Sequence, residues 1–157
     1  MINRFARIVI LCAVGSFGAC ASTPVSHFYT LNAMSTPGAT SSDVSIAVGP
    51  VTLPAAVDRP EIVVVSGANE LRLDEFNRWA GPLQEELCRV VAENLTTILH
   101  TQRVTQFPQT SSADADYRVA IEVRRFDSAL GKAATLQAVW FVRDTKLGKA
   151  QAGRTEV

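Results

Sequence analysis

Between Pro82 and His100 the apolar residues Leu83, Leu87, Val90, Val91, Leu95 and Ile98 recur at helical spacing and make one stripe. Pro82 suits a first helical position, where its missing N–H would have no partner in any case. Gln84, Glu85, Glu86 and Arg89 fall on the wet side, and Cys88 flanks the stripe as a small buried thiol. This is the clearest helix of the chain, and most of the remaining apolar residues follow a two-residue period. A helix with one apolar stripe must bury it against another layer, and the layer on offer is a sheet. The expected fold is therefore an α/β single domain, a mixed β-sheet with one long helix.

The strands can be placed individually. Val44, Ile46 and Val48 alternate with Ser45 and Ala47; Gly49-Pro50 interrupts them, and Val51 and Leu53 resume. Glu61 to Val65 is a β-branched run, followed by turn chemistry at Ser66 to Asn69 and a return at Glu70 to Leu73, which predicts a hairpin. Val104 to Phe107 is a short strand ended by Pro108. Tyr117, Val119, Ile121 and Val123 alternate with Arg118, Ala120, Glu122 and Arg124 as an amphipathic strand. Phe126 falls out of phase with it and marks either a bulge or an exposed apolar patch. Ala133 to Val142 is apolar on both faces and carries Trp140, a core candidate, and Phe141. Asp144 to Lys149 reads as a hairpin loop with Gly148 free to take positive φ, and Gln151 onward as the returning strand. Asn32 to Asp43 has the composition of a flexible tether, while His27 to Leu31 can dock as a short strand.

The start of the chain follows other rules. Arg4 and Arg7 precede an apolar run from Ile8 to Ala19, and no acidic residue occurs before Asp43. That run is about 12 residues, where a membrane-spanning helix needs roughly 20. The layout ending Ser16-Phe17-Gly18-Ala19-Cys20 resembles a bacterial lipoprotein signal, in which the cysteine is acylated and becomes the first mature residue. The alternative is an ordinary secretory signal cut near Ala19 or Ala21. Cys12 lies inside the apolar run after bulky Leu11 and is set aside. Ala21 follows Cys20 where such lipoproteins commonly carry Asp for inner-membrane retention, which favours the outer membrane.

Residues 1–19 then form a signal peptide, 20–43 a lipidated N-terminus and tether, and 44–157 the folded domain. Losing Arg4 and Arg7 leaves 13 basic against 15 acidic residues, a net charge near −2. Nothing in that balance points to nucleic acid. Cys88 is the single thiol left, so no disulfide can form within the mature chain.

Several segments resemble the PqiC-type lipoproteins, the ABC-transport auxiliary lipoproteins. They are His27-Phe28-Tyr29-Thr30-Leu31, Val48-Gly49-Pro50-Val51-Thr52-Leu53-Pro54, Asp58-Arg59-Pro60-Glu61-Ile62-Val63, and Asn77-Arg78-Trp79-Ala80-Gly81-Pro82-Leu83, with Asp116-Tyr117 and the Trp140 strand downstream. The resemblance implies a domain similar to the N-terminal domain of TolB. It implies a role beside MCE-type carriers (PqiB-like) and their inner-membrane transporters, in moving lipid between the two membranes. It also implies a ring-shaped homo-oligomer at the periplasmic face of the outer membrane. Two departures stand out. The family usually has Glu where this chain has Gly81. The family also continues into a terminal helix, whereas this sequence stops at Val157, so the expectation is a C-terminally truncated domain that alone folds poorly or self-associates.

Candidate site residues follow from both lines. Asp58 and Arg59 precede Pro60, which biases Arg59 to extended backbone. Arg59 is either part of a docking surface or an internal salt bridge or turn cap. Arg78 and Trp79, just ahead of the helix, are either an interface anchor or a solvated cation beside a core plug. Catalytic chemistry has no support. The chain lacks a glycine-rich phosphate loop, G-x-S-x-G, H-E-x-x-H and C-x-x-C. His27, His100 and Cys88 make no metal constellation, and no cofactor is implied. Asn94-Leu95-Thr96 matches a glycosylation pattern within the helix and is assigned no role. The leading expectation is a non-enzymatic outer-membrane lipoprotein subunit of a lipid-transport machine. The alternatives are a periplasmic lipid-binding shuttle, for which one helix over a small sheet leaves little room, and an anchored hydrolase.

Overall fold

A computed structural model of the chain describes residues 24–38 and 41–157. Cys20, the expected acylation site, lies outside them. In chain order the elements are β1 (His27–Tyr29), β2 (Ile46–Thr52), β3 (Glu61–Gly67), β4 (Glu70–Trp79), α1 (Leu83–Leu99), β5 (Val104–Gln106), a 3-10 turn (Thr110–Ser112), β6 (Tyr117–Ala129), β7 (Ala133–Asp144) and β8 (Ala150–Glu156). All eight strands share one mixed sheet, ordered β1-β4-β3-β6-β2-β5, with β7 on β6 and β8 on β7. The sheet curls into a half-barrel around α1. A mixed sheet with one helix was the sequence expectation, and it holds.

β6 organises the sheet. It runs antiparallel to β7 along its whole length. Its first half lies parallel to β2, and Ser128 near its far end pairs with Val64 of β3. Two register shifts let apolar residues three apart share one face. In β2 the shift spans Gly49-Pro50, so Ile46, Val48 and Val51 all enter the core. Gly49 has φ 119° there, and a Cβ on it would come within 3.3 Å of the Phe107 carbonyl oxygen. In β6 the shift lies between Val123 and Arg125, so Val123 and Phe126 both face inward. Phe126 thus marks a bulge. β4 and β6 extend well beyond Leu73 and Arg124, because each finds a partner strand over its added length.

The core lies between α1 and the sheet, from Ile46, Val48, Val51, Cys88, Ala92 and Val123 with a surrounding shell that includes Leu87, Val91, Leu95 and Leu99. The buried stripe is rotated from the expected one. Cys88 sits at its centre and its thiol donates to the Val48 carbonyl at 3.3 Å. Burial pushes that thiol's pKa up. Ile98 instead is 42% exposed. The small side chains Cys88 and Ala92 occupy the contact with the sheet, and larger neighbours flank them.

The opposite flank of α1 carries the segment after β1. Asn94 Oδ1 accepts the Met34 and Ser35 N–H groups, and Arg89 donates to the Leu31 carbonyl at 2.6 Å. Ser42 N–H reaches the Leu99 carbonyl at 2.9 Å. Orphan groups at the helix end thereby find partners. His100 closes the helix in the left-handed region, φ 47°, with its Nε2 2.6 Å from the Gly38 carbonyl. Within the segment read as a tether, residues 34, 35, 38 and 42 carry hydrogen bonds to the helix and its cap.

A candidate docking corner at the start of the helix

The candidate residues gather where β4 turns into α1. Asp74 starts the arrangement: its Oδ1 accepts the Phe76 and Asn77 N–H groups, and Asn77 Nδ2 donates to its Oδ2 at 2.9 Å. The Asn77 side chain, above all, holds the Asp74 carboxyl below the usual range. Tyr29 Oη donates to Asn77 Oδ1 at 2.9 Å, and β1 pairs in parallel with Asn77 to Trp79. Trp79 N–H then donates to the Pro60 carbonyl at 2.7 Å, and Ala80 N–H to the Tyr29 carbonyl at 2.8 Å. The 58–60 turn, β1 and the helix start are therefore tied to one point.

Successive strand residues project to opposite faces. Arg78 pairs with Glu61 across the strand at 2.9 Å, whereas the Trp79 ring packs on Phe126, centroids 5.8 Å apart. Trp79 and Leu83 stand between two hollows. One is a cleft of about 400 Å³ formed with Asp58, Arg59, Pro60, Ala80, Gly81 and Pro82. The other, about 310 Å³, has Leu31, Val57, Ile62, Val63 and Phe126 among its walls. Arg59 and Trp79 thus share the cleft, while Arg78 is engaged with Glu61. Arg59 Nε is buried and has no hydrogen-bond partner among the described residues. Gly81 is not in the left-handed region, and a Cβ there would meet nothing within 4 Å. The backbone does not require glycine, so the missing side chain leaves open space beside the cleft.

No side chain caps the first turn of α1, whose N-cap is Pro82. Glu85 and Glu86 occupy that turn, as the helix dipole favours. Glu86 is bound by Arg89 at 2.7 Å and by the Leu31 N–H at 3.2 Å. The Arg89 side chain, then the Leu31 N–H, keep the Glu86 carboxyl below its ordinary range. Arg89 also reaches Glu93 at 2.9 Å. Sequence reading placed Arg89 on the wet side and missed this network, although Glu86, Arg89 and Glu93 stand at the i,i+3 and i,i+4 spacing that signals one.

His27 opens β1 and is exposed, and His100 caps α1 at the other end of the helix. Among the described residues, no group of three or more His, Cys, Asp or Glu is placed to hold a metal. Nor is any described helix long and apolar enough to cross a membrane.

This arrangement defines an α/β domain of one helix on a curled mixed sheet. The chain belongs to the ABC-type transport auxiliary lipoprotein component family, whose model matches residues 29–157. A DUF330-family protein of Xanthomonas campestris superposes with TM-score 0.71 at 21% identity, over 84% of this chain and 77% of its own. An uncharacterised protein superposes with TM-score 0.63 at 17% identity, over 85% and 79%. At these identities the likeness is one of fold. No curated protein matches the chain.

Proposed function

We propose that this chain is a non-enzymatic lipoprotein subunit of an MCE/ABC-type intermembrane lipid-transport system. It is anchored through Cys20 at the periplasmic face of the outer membrane, where it docks the carrier complex as a homo-oligomer and supports envelope integrity. The family match over residues 29–157 carries the reading. The N-terminal layout from Arg4 to Ala21 supplies the anchor. A triacylated cysteine has enough chains for stable attachment, since each buried CH₂ contributes about 0.8 kcal/mol and one chain binds only reversibly.

Two experiments test it. Envelope fractionation of Cys20→Ser should move the protein out of the outer-membrane fraction; a variant that still resists salt washing there removes the lipid anchor from the account. Copurification with an MCE-domain protein encoded nearby should survive His27→Ala with His100→Ala, provided folding is intact. Envelope function lost in that folded double variant, with the complex retained, would return the enzyme reading.

A further inference from the structure

We propose that the two hollows on either side of Trp79 bind one single-chain carboxylate amphiphile. Its carboxylate lies against Arg59 in the cleft, and its chain runs past Trp79 and Leu83 into the apolar cavity. This goes beyond the docking role and does not depend on it.

Three observations converge. Arg59 Nε is the one buried side-chain N or O atom without a hydrogen-bond partner among the described residues. Buried polar groups in folded proteins nearly always have partners, and a guanidinium is matched best by the planar fork of a carboxylate. The same cleft contains the uncapped start of the 17-residue α1, whose positive dipole end favours an anion. Finally, Trp79 and Leu83 line both hollows, and the inner one presents Leu31, Val57, Ile62, Val63 and Phe126. A cationic mouth against an apolar interior fits an amphiphile better than a small polar anion. Volumes of about 310 and 400 Å³ lie near the low end for ligand pockets. That size suits one acyl chain, more room than one helix over a small sheet was expected to leave.

The opposing charges are identifiable. Asp58 lines the cleft but is exposed, and Glu85 points from the first turn into solvent. Glu86 is neutralised by Arg89. Asp127, at the inner cavity, is paired with Arg125 at 2.7 Å. Among the described residues Arg59 is therefore the cation of the site without an acidic partner, beside a wall of Pro60, Trp79, Pro82 and Leu83.

The test is calorimetric titration of the full chain carrying Cys20→Ser, which keeps the protein free of its own acyl chains. Laurate below its micelle concentration, dodecanol and acetate are the probes. Laurate should bind, and dodecanol and acetate should each bind about tenfold more weakly or worse. Arg59→Gln should weaken laurate by a similar factor. Gly81→Glu should do so too, by placing a carboxylate in the cleft in cis, and its thermal transition should not fall. That second variant decides the matter if Arg59→Gln does not fold. No heat with laurate up to about 1 mM, or equal binding of laurate and dodecanol, overturns the proposal. So does acetate binding as tightly as laurate, or laurate affinity unchanged in Gly81→Glu.

Discussion

Asp116 shows how much one carboxylate can organise. Its Oδ2 accepts both the Ser45 N–H at 2.9 Å and the Ser45 hydroxyl at 2.7 Å, and its Oδ1 is paired with the Lys146 ammonium. Its carbonyl accepts from Thr145. The residues ahead of β2, the start of β6 and the β7–β8 turn are thereby clamped together. The Lys146 ammonium first, and then Ser45, hold the Asp116 carboxyl well below the usual range. A depressed folded-state pKa stabilises the fold wherever the unfolded carboxyl is ionised, above its ordinary value of about 3.9. The contribution is lost as pH falls from there toward the folded value. Asp116→Asn is therefore expected to melt at a lower temperature than the parent at pH 7, with the gap narrowing below about pH 4. A gap that stays constant down to pH 2 would sink this account. Asp116-Tyr117 is legible in the sequence as a motif. Its partners are not, because Ser45 and Lys146 become neighbours only through strand pairing.

Glycine and tryptophan decide the packing of the last two strands. Trp140 pairs with Gly153 across β7 and β8, and a Cβ on Gly153 would overlap the Trp140 ring. The ring packs against the neighbouring strand at this point only because that position has no side chain. Gly153→Ala is expected to destabilise the protein by about 1–3 kcal/mol, the range for overpacking. Adding Trp140→Leu should recover part of that loss relative to the Trp140→Leu single variant, as denaturant melts of the four proteins would show. Strict additivity would mean that the ring is not the obstacle. The segment bonded to α1 gives a second expectation. Asn94→Ala removes the acceptor for the Met34 and Ser35 N–H groups, and amide exchange should rise at those two residues while the sheet stays protected. Unchanged exchange would show that the segment is held by its other contacts. Composition marked this segment as a tether because it is rich in Ser, Thr, Pro and Ala. The same small polar residues also bond readily to an exposed helix flank.

At the scale of the molecule, the sheet has one face under α1 and another that is partly bare. On the bare side Phe107 and Phe141 are 40% and 43% exposed, together with Arg118 and Arg143 around a hollow of about 290 Å³. Arg118 lies 5.9 Å from the Phe107 ring centre. Exposed aromatic area flanked by arginines is typical of surfaces that meet another chain. Sedimentation of the full chain carrying Cys20→Ser is expected to show concentration-dependent association, and Phe141→Glu should shift it to monomer. A parent that remains monomeric at high concentration would rule out this face as a contact between copies.

What the sequence determined by itself is the local periodicity: a helix between Pro82 and His100, the run of strands, the left-handed turn at Gly148, and the apolar character of both sides of the Trp140 strand. These depend on spacing along a few turns or residues, and 3.6 and 2.0 are distinct periods. The tertiary structure alone decided which partners those elements met. It extended β4 and β6 beyond their patterned cores, because hydrogen-bonded neighbours can sustain a strand whose own alternation has lapsed. It rotated α1 to bring Cys88 and Ala92 against the sheet, since close approach favours small side chains over the most apolar ones. It also brought Arg59 and Trp79 into one cleft and committed Arg78 to Glu61, a separation that follows from the register of β3 on β4 rather than from any residue read alone.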